Sequence, residues 1–314
     1  MSDTYRRYAA VQRSLSQFFL SSSGHRERHL NTLCALICGL SGGQHAHLPA
    51  IADHAPTNGA DQASLITRFR RSLKNETMTI KGFFLPVAKA SLANLAQRPL
   101  TLVIDGRAVG RGCVALMVSV VDQGRALPLI WLVVKGKKGR CPRQTHRALL
   151  ALLQEIIPRG ADVRVRGDGA SDGTDLQAAR RTLTWKDVVR TVPNLPMTGA
   201  GRVSGVGALA PERGEKLGIR PVFVTAEQYG PVSVLGLWEE AYEEPIFLVT
   251  NLVDLIAASA LDRTRAHIET FLSDRKSRGF QLHKSHLSDP VRVSRLLIAS
   301  CLAHIWLVYL GCVH

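Results

Sequence analysis

Thr101-Leu-Val-Ile-Asp105 is the stretch on which the reading of this chain turns. Leu102, Val103 and Ile104 are consecutive and apolar, and two of them are β-branched, which is the composition of a buried strand. The run stops on a carboxylate, with Gly106 behind it, so the strand is expected to end at Asp105. A carboxylate at the margin of a core is costly unless a cation meets it. Taken alone, Asp105 reads as a residue that caps or turns a strand end. It becomes a candidate ligand when other carboxylates can be brought to the same place.

Working outward, Cys113 to Val121 and Ala126 to Lys135 are two further β-rich runs, separated by the turn residues Gln123-Gly124. Three strands joined by short turns predict an antiparallel meander. Gln144 to Ile157 has the pattern of an amphipathic helix, Ala161 to Gly167 alternates like a strand and runs into Asp168, and Thr174 to Leu183 reads as a helix. Trp185 to Thr191 is a fifth strand. The order βββαβαβ makes a mixed α/β sheet.

The flanks differ from this core. Helices are expected within residues 1–20, His29–Leu40, a short piece from His47, Asp61–Asn75 with Asp61 as N-cap, and Thr79–Gln97. Pro193 to Asn251 is rich in Gly and Pro, with β-prone runs at Val222–Val224, Val232–Leu237 and Ile246–Val249. From Leu252 the pattern is helical again, ending in an apolar helix from Pro290 to Val313. The expected organisation is an N-terminal helical region at 1–98, the first part of a mixed α/β core at 99–192, a mostly β insertion at 193–251, and the helices that complete the core at 252–314.

Charge narrows the partner. Forty Lys and Arg stand against 25 Asp and Glu in 314 residues, a net charge of +15. An excess of this size points to a polyanion, nucleic acid ahead of an anionic membrane surface. Arg68, Arg70, Arg71 and Lys74 crowd onto the helix that also carries Leu65, Phe69 and Leu73. They form either a solvated basic face or one that meets DNA phosphates. Lys137 and Lys138 lie in a basic loop, Lys135 to Arg140. The six cysteines show no zinc-type spacing, and Cys34 and Cys38 sit four apart in an apolar helix, which fits a reducing, cytoplasmic setting. The N-terminus lacks a signal-peptide core. Leu296 to Val313 is long enough to resemble a membrane span. Its small and polar residues, Ser300, Cys301 and His304, favour a buried helix and no membrane. The histidines at 25, 29, 45, 47 and 54 have no metal-ligand spacing. Trp238 is expected in the core, with stacking on an extruded base as the alternative.

Asp168, like Asp105, directly follows a strand. If the first and fourth strands are neighbours, the two carboxylates meet, repel and call for a cation. Hard oxygen ligands without Cys or His suit Mg²⁺ or Mn²⁺. Asp172 is the other candidate for the second position. Arg265, Glu269 and Lys276 are spaced by four and seven residues and so share a helical face, as in an ordinary ion-pair ladder.

These residues together resemble the DDE transposases of bacterial insertion sequences. One branch carries its last carboxylate in Tyr-x2-Arg-x3-Glu-x6-Lys, and Arg265, Glu269 and Lys276 match three of those four anchors. Ile268-Glu269-Thr-Phe, Ser273 to Phe280, Gly124-Arg-Ala-Leu-Pro-Leu with Trp131, Gly167-Asp168, Asp172-Gly173 with Leu176, and Arg190-Thr191 are similar to its surrounding blocks. The chain departs from the pattern at Asp262, which stands at the Tyr anchor, and at Gly169-Ala170-Ser171 after the second Asp.

The resemblance implies a ribonuclease-H-like mixed sheet with flanking helices. It implies a triad of Asp105, Asp168 and Glu269 holding two Mg²⁺ or Mn²⁺ ions, with Arg265, Lys276 and Arg190 on DNA phosphates. The activity it implies is cleavage at the element's terminal inverted repeats followed by strand transfer into target double-stranded DNA, in a homodimeric synaptic complex on the bacterial nucleoid. Two alternatives remain: a DNA-binding remnant without turnover, to which the departures point, and a metal-dependent nuclease without strand transfer.

Overall fold

In the computed structural model, which describes residues 2–19, 24–136, 141–167, 183–263 and 280–311, the strand through Asp105 is longer than its apolar run. This strand, β1, spans Leu100–Val109 and continues past the carboxylate. Backbone pairing sets its length. β2, Cys113–Asp122, pairs antiparallel with it from Thr101↔Val121 to Val109↔Cys113. What stops beside Asp105 is the pairing on the other edge. β4, Val163–Gly167, runs parallel to β1 from Leu100↔Val163 to Ile104↔Gly167. Asp105 is the residue of β1 that follows this last described pair.

β3, Arg125–Lys135, completes the meander and forms one edge of the sheet. Pro128 sits there beside a register shift against Val118 and Ser119, and on an edge strand a missing N–H costs least. β5, Lys186–Thr191, lies parallel to β4. The order β3-β2-β1-β4-β5, with β2 alone reversed, is the ribonuclease-H-like arrangement. The β3–β4 crossover is made by α7, Arg143–Gln154. Its Leu149, Leu150 and Leu153 bury against Leu102, Ile104, Val118 and Val165 on one face of the sheet.

Five strands follow in sequence: β6 Pro196–Gly199, β7 Arg202–Gly205, β8 Lys216–Val224, β9 Tyr229–Leu237 and β10 Ile246–Thr250. β10 pairs antiparallel with β5, and the sheet extends through β9, β8 and β6 to β7, giving ten strands among the described residues. Composition does not announce β6 and β7. Each has only four residues, and glycines at their ends mask the alternation.

The N-terminal helices are α1 Asp3–Ser16, α2 His25–Gly43, α3 Leu48–Asp53 and α4 Gln62–Lys74. The continuous helix expected over Thr79–Gln97 is two helices, α5 Ile80–Phe83 and α6 Leu85–Leu95. Thr79 caps α5 by accepting from the Gly82 N–H at 3.0 Å. Pro86 lies in the first turn of α6, where its missing N–H is harmless and its ring bars a continuous helix. After β10 come α8, Leu255–Arg263, and the final helix α9, Pro290–Gly311.

By length and composition α9 is able to cross a membrane. Here Leu297, Ile298, Ala299 and Cys301 are fully buried in the cluster that also holds Leu33, Leu36 and Ile37 of α2. Trp131 of β3, itself fully buried, donates to Ser294 Oγ of α9 at 3.0 Å and meets the Phe84 ring edge-on at 4.7 Å. Cys34 and Cys38 are core residues of α2, and burial, with Cys38 beside it, pushes the Cys34 thiol up to about 12.

Candidate functional site

Side chains alternate across a strand and partners in register share a face. Ile104 points to the α7 side, so Asp105 points to the other, with Val103 and Arg107. Asp105 is opposite Met117, which packs with Trp131 and α9. Val103 is in register with Arg166, and Arg166 with Val188. Arg166 and Arg190 therefore lie on the Asp105 face.

The Asp105 side chain is 26% exposed, and the Arg107 Nε donates to its Oδ2 at 2.7 Å. The cation that a carboxylate at the core margin calls for is thus two residues along the same strand. Only the extension of β1 beyond Asp105 puts it there.

A second carboxylate shares this face and is fully enclosed. Asp262, near the C-terminal end of α8, has a side chain 4% exposed. Arg166 of β4 donates Nη2 to its Oδ1 at 2.8 Å. Arg190 of β5 donates Nε to Oδ1 at 3.1 Å and Nη2 to Oδ2 at 2.8 Å. The Arg190 guanidinium also lies over the Tyr242 ring, 5.8 Å from its centroid. Burial works against its charge, but the hydrogen bond and charge of Asp262 prevail and raise its pKa. Apolar contacts seat the same helix, since Ala258 and Leu261 pack with Val188, Leu235, Leu237 and Leu248. Asp262, a departure from the transposase pattern in sequence, is therefore the peg that fixes α8 to two central strands. Its partners are 96 and 72 residues away, so no local pattern reveals it.

Arg190, expected on DNA, is engaged by Asp262 and Tyr242. Asp168, Asp172, Arg265, Glu269, Lys276, Lys137 and Lys138 lie outside the described residues. Two boundaries of the described chain bear on them. Gly167, which Asp168 follows, is level with Ile104. Arg263, from which the chain continues toward Glu269, directly follows the Asp262 peg on the Asp105 face. Among the described residues no group of three His, Cys, Asp or Glu is placed to hold a metal ion. Asp105 offers carboxylate oxygens, the donor type that suits Mg²⁺.

Arg68, Arg70, Arg71 and Lys74 are all exposed on α4. Trp238 is half-buried rather than a core residue, and its Nε1 donates to the Tyr242 carbonyl at 3.1 Å.

No protein-family model matches the chain, and no curated protein does. Among solved structures it is similar to a piggyBac transposase synaptic complex with hairpin DNA, at 12% identity and a TM-score of 0.46, over 98% of this chain and 74% of that one. It is also similar to Ciona intestinalis endonuclease V bound to a 23mer DNA containing an inosine followed by a ribo-adenosine, at 12% identity and a TM-score of 0.30, over 61% of this chain and 97% of that one. A further likeness is to human ENDOV, at 14% identity and a TM-score of 0.27, over 69% and 96% of the two chains.

Proposed function

We propose that the chain is a DNA-processing enzyme that breaks phosphodiester bonds with a divalent metal, of the DDE transposase type, with Asp105, Asp168 and Glu269 as its metal-binding carboxylates. One observation carries this reading. A ribonuclease-H-like sheet ends its β1–β4 pairing beside Asp105, and α8, the helix that leads toward Glu269, is pegged to the same face through Asp262. Metal bound there would supply Lewis acidity to a phosphoryl oxygen and lower the pKa of an attacking water. Asp105 would exchange its ion pair with Arg107 for the metal, which leaves that guanidinium near the reacting phosphate. Arg265 and Lys276 would hold phosphate oxygens. Cleavage at element ends and transfer of the freed 3′-hydroxyl to target DNA are the finer expectation, in keeping with the Arg265–Glu269–Lys276 spacing.

The test is nicking of end-bearing duplex DNA by the full chain with Mg²⁺ or Mn²⁺. Metal-dependent nicking that vanishes in Asp105→Asn, Asp168→Asn and Glu269→Gln is expected, with joined products marking strand transfer. Nicking without joining would make the chain a nuclease. Binding with neither would make it a remnant, and full activity in any of the three variants would sink the triad.

A further inference from the structure

The basic residues of α4 are not one face. Arg68 and Arg70 are two positions apart, about 200° around the helix, and the fold turns them into separate grooves. Arg68 and Arg71 line a groove with His25, Arg28 and His29 of α2. Arg70 and Lys74 line another with His47, His286 and Arg292. Neither groove is lined by Asp or Glu among the described residues. Between them the outer ridge of α4, Thr67, Arg71 and Lys74, is exposed. The inner side is fixed, since Leu65, Phe69 and Leu73 are buried and the Asp61 carboxylate accepts from the Ser64 N–H at 2.6 Å. Part of the first groove is held in place as well. Arg68 Nε donates to Thr32 Oγ1 at 3.0 Å, and Arg28 Nη2 donates to His25 Nδ1 at 3.0 Å.

We propose that α4 enters the major groove of double-stranded DNA, with Arg28, Arg68 and Arg71 on the phosphates of one strand and Arg70, Lys74 and Arg292 on those of the other. A helix with its side chains is about 10–12 Å across, and the major groove of B-DNA is about 12 Å wide. A helix seated there has phosphates on both flanks, and this one carries Arg68 and Arg70 on opposite flanks, with Arg71 and Lys74 on the ridge beside them. At 13 residues α4 is about 20 Å long, enough for one pass. The proposal takes its partner from the DNA-processing reading, but it concerns binding and not chemistry.

The experiment is titration of a labelled 30-base-pair duplex in EDTA, where no cleavage occurs. Arg68→Glu with Arg71→Glu, and separately Arg70→Glu with Lys74→Glu, should each weaken binding by about tenfold or more. Each should also flatten the plot of log affinity against log salt, by about 0.9 for every phosphate that is no longer neutralised. Gln in place of Glu should give smaller losses in the same order, which covers a Glu variant that does not fold. Guanine N7 should be protected from dimethyl sulfate on the duplex. An RNA duplex of the same sequence, whose deep narrow major groove does not admit a helix, should bind at least about tenfold more weakly. Weakening from one flank only, unprotected N7, or equal binding of RNA would overturn the proposal. Wild type that passes these tests yet never nicks DNA with Mg²⁺ would sink the catalytic reading and leave this one standing.

Discussion

Asp105 and Asp262 occupy one face of the same sheet and have opposite surroundings. Asp105 is a quarter exposed, beside an Arg107 of similar exposure. Asp262 is sealed between two guanidiniums. A carboxylate that stays open to solvent can exchange a cation partner for a metal and a substrate. A sealed carboxylate is held against such an exchange, because opening it would break three charge-assisted hydrogen bonds out of contact with water. In the proposed function the first does chemistry, whereas the second holds a helix. Sequence resemblance marks Asp262 only as a departure from a pattern and does not reveal that it holds two arginines.

The largest expected effect is on the Asp105 side. Asp105→Asn should lower single-turnover nicking by about a thousandfold or more while leaving unfolding free energy within about 1 kcal/mol, a change equivalent to that of a partly exposed ion pair. Measured nicking and a urea titration on the same preparation check both halves. A stability loss above that size would make Asp105 structural and erase the contrast.

Asp262→Ala should do the reverse to stability, lowering it by about 3–5 kcal/mol because two guanidiniums lose a buried carboxylate. Replacing Asp262, Arg166 and Arg190 together with Leu, Met and Met should recover much of that loss in a urea titration. If nicking stays low in the recovered protein, the peg sets the position of α8 and not only its stability. Within the core, Trp131→Phe removes the bond to Ser294 and should cost about 1 kcal/mol, read as a lower denaturation midpoint.

The smallest effect is at a third carboxylate. The hydrogen bond from Lys186 at 2.9 Å, helped by Arg164 and opposed by burial, lowers the Asp162 pKa. A depressed carboxylate contributes stability that is present above its unfolded pKa and lost as pH falls through the folded one. Its side chain is 38% exposed, so Asp162→Asn should cost well under about 1 kcal/mol at pH 7. The difference from wild type should vanish in acid. A large loss would place Asp162 with Asp262 and not with surface pairs.

Most of the elements of this fold are legible along the chain. The apolar run before Asp105, the Gln123-Gly124 turn and the Asp61 cap each act over a few residues, and each appears in the structure. Three features differ from the reading of the sequence. β1 runs past Asp105 because β2 supplies partners as far as Val109. β6 is a strand because β8 offers it an edge, and β7 is one because β6 in turn pairs with it. Thr79–Gln97 splits because Pro86 starts a new helix instead of sitting inside one. The first two depend on neighbours that the local sequence does not contain.

Sequence by itself determined the strand composition, the basic excess, the Asp105–Gly106 and Gly167–Asp168 junctions and the spacing around Glu269, because these are properties of short windows. Tertiary structure alone decided that Asp105 has Arg107 at its side, that Asp262 holds Arg166 and Arg190, and that α4 divides its cations between two grooves. Charge is written residue by residue, but whether it is exposed, paired or sealed depends on which distant segments fold against it.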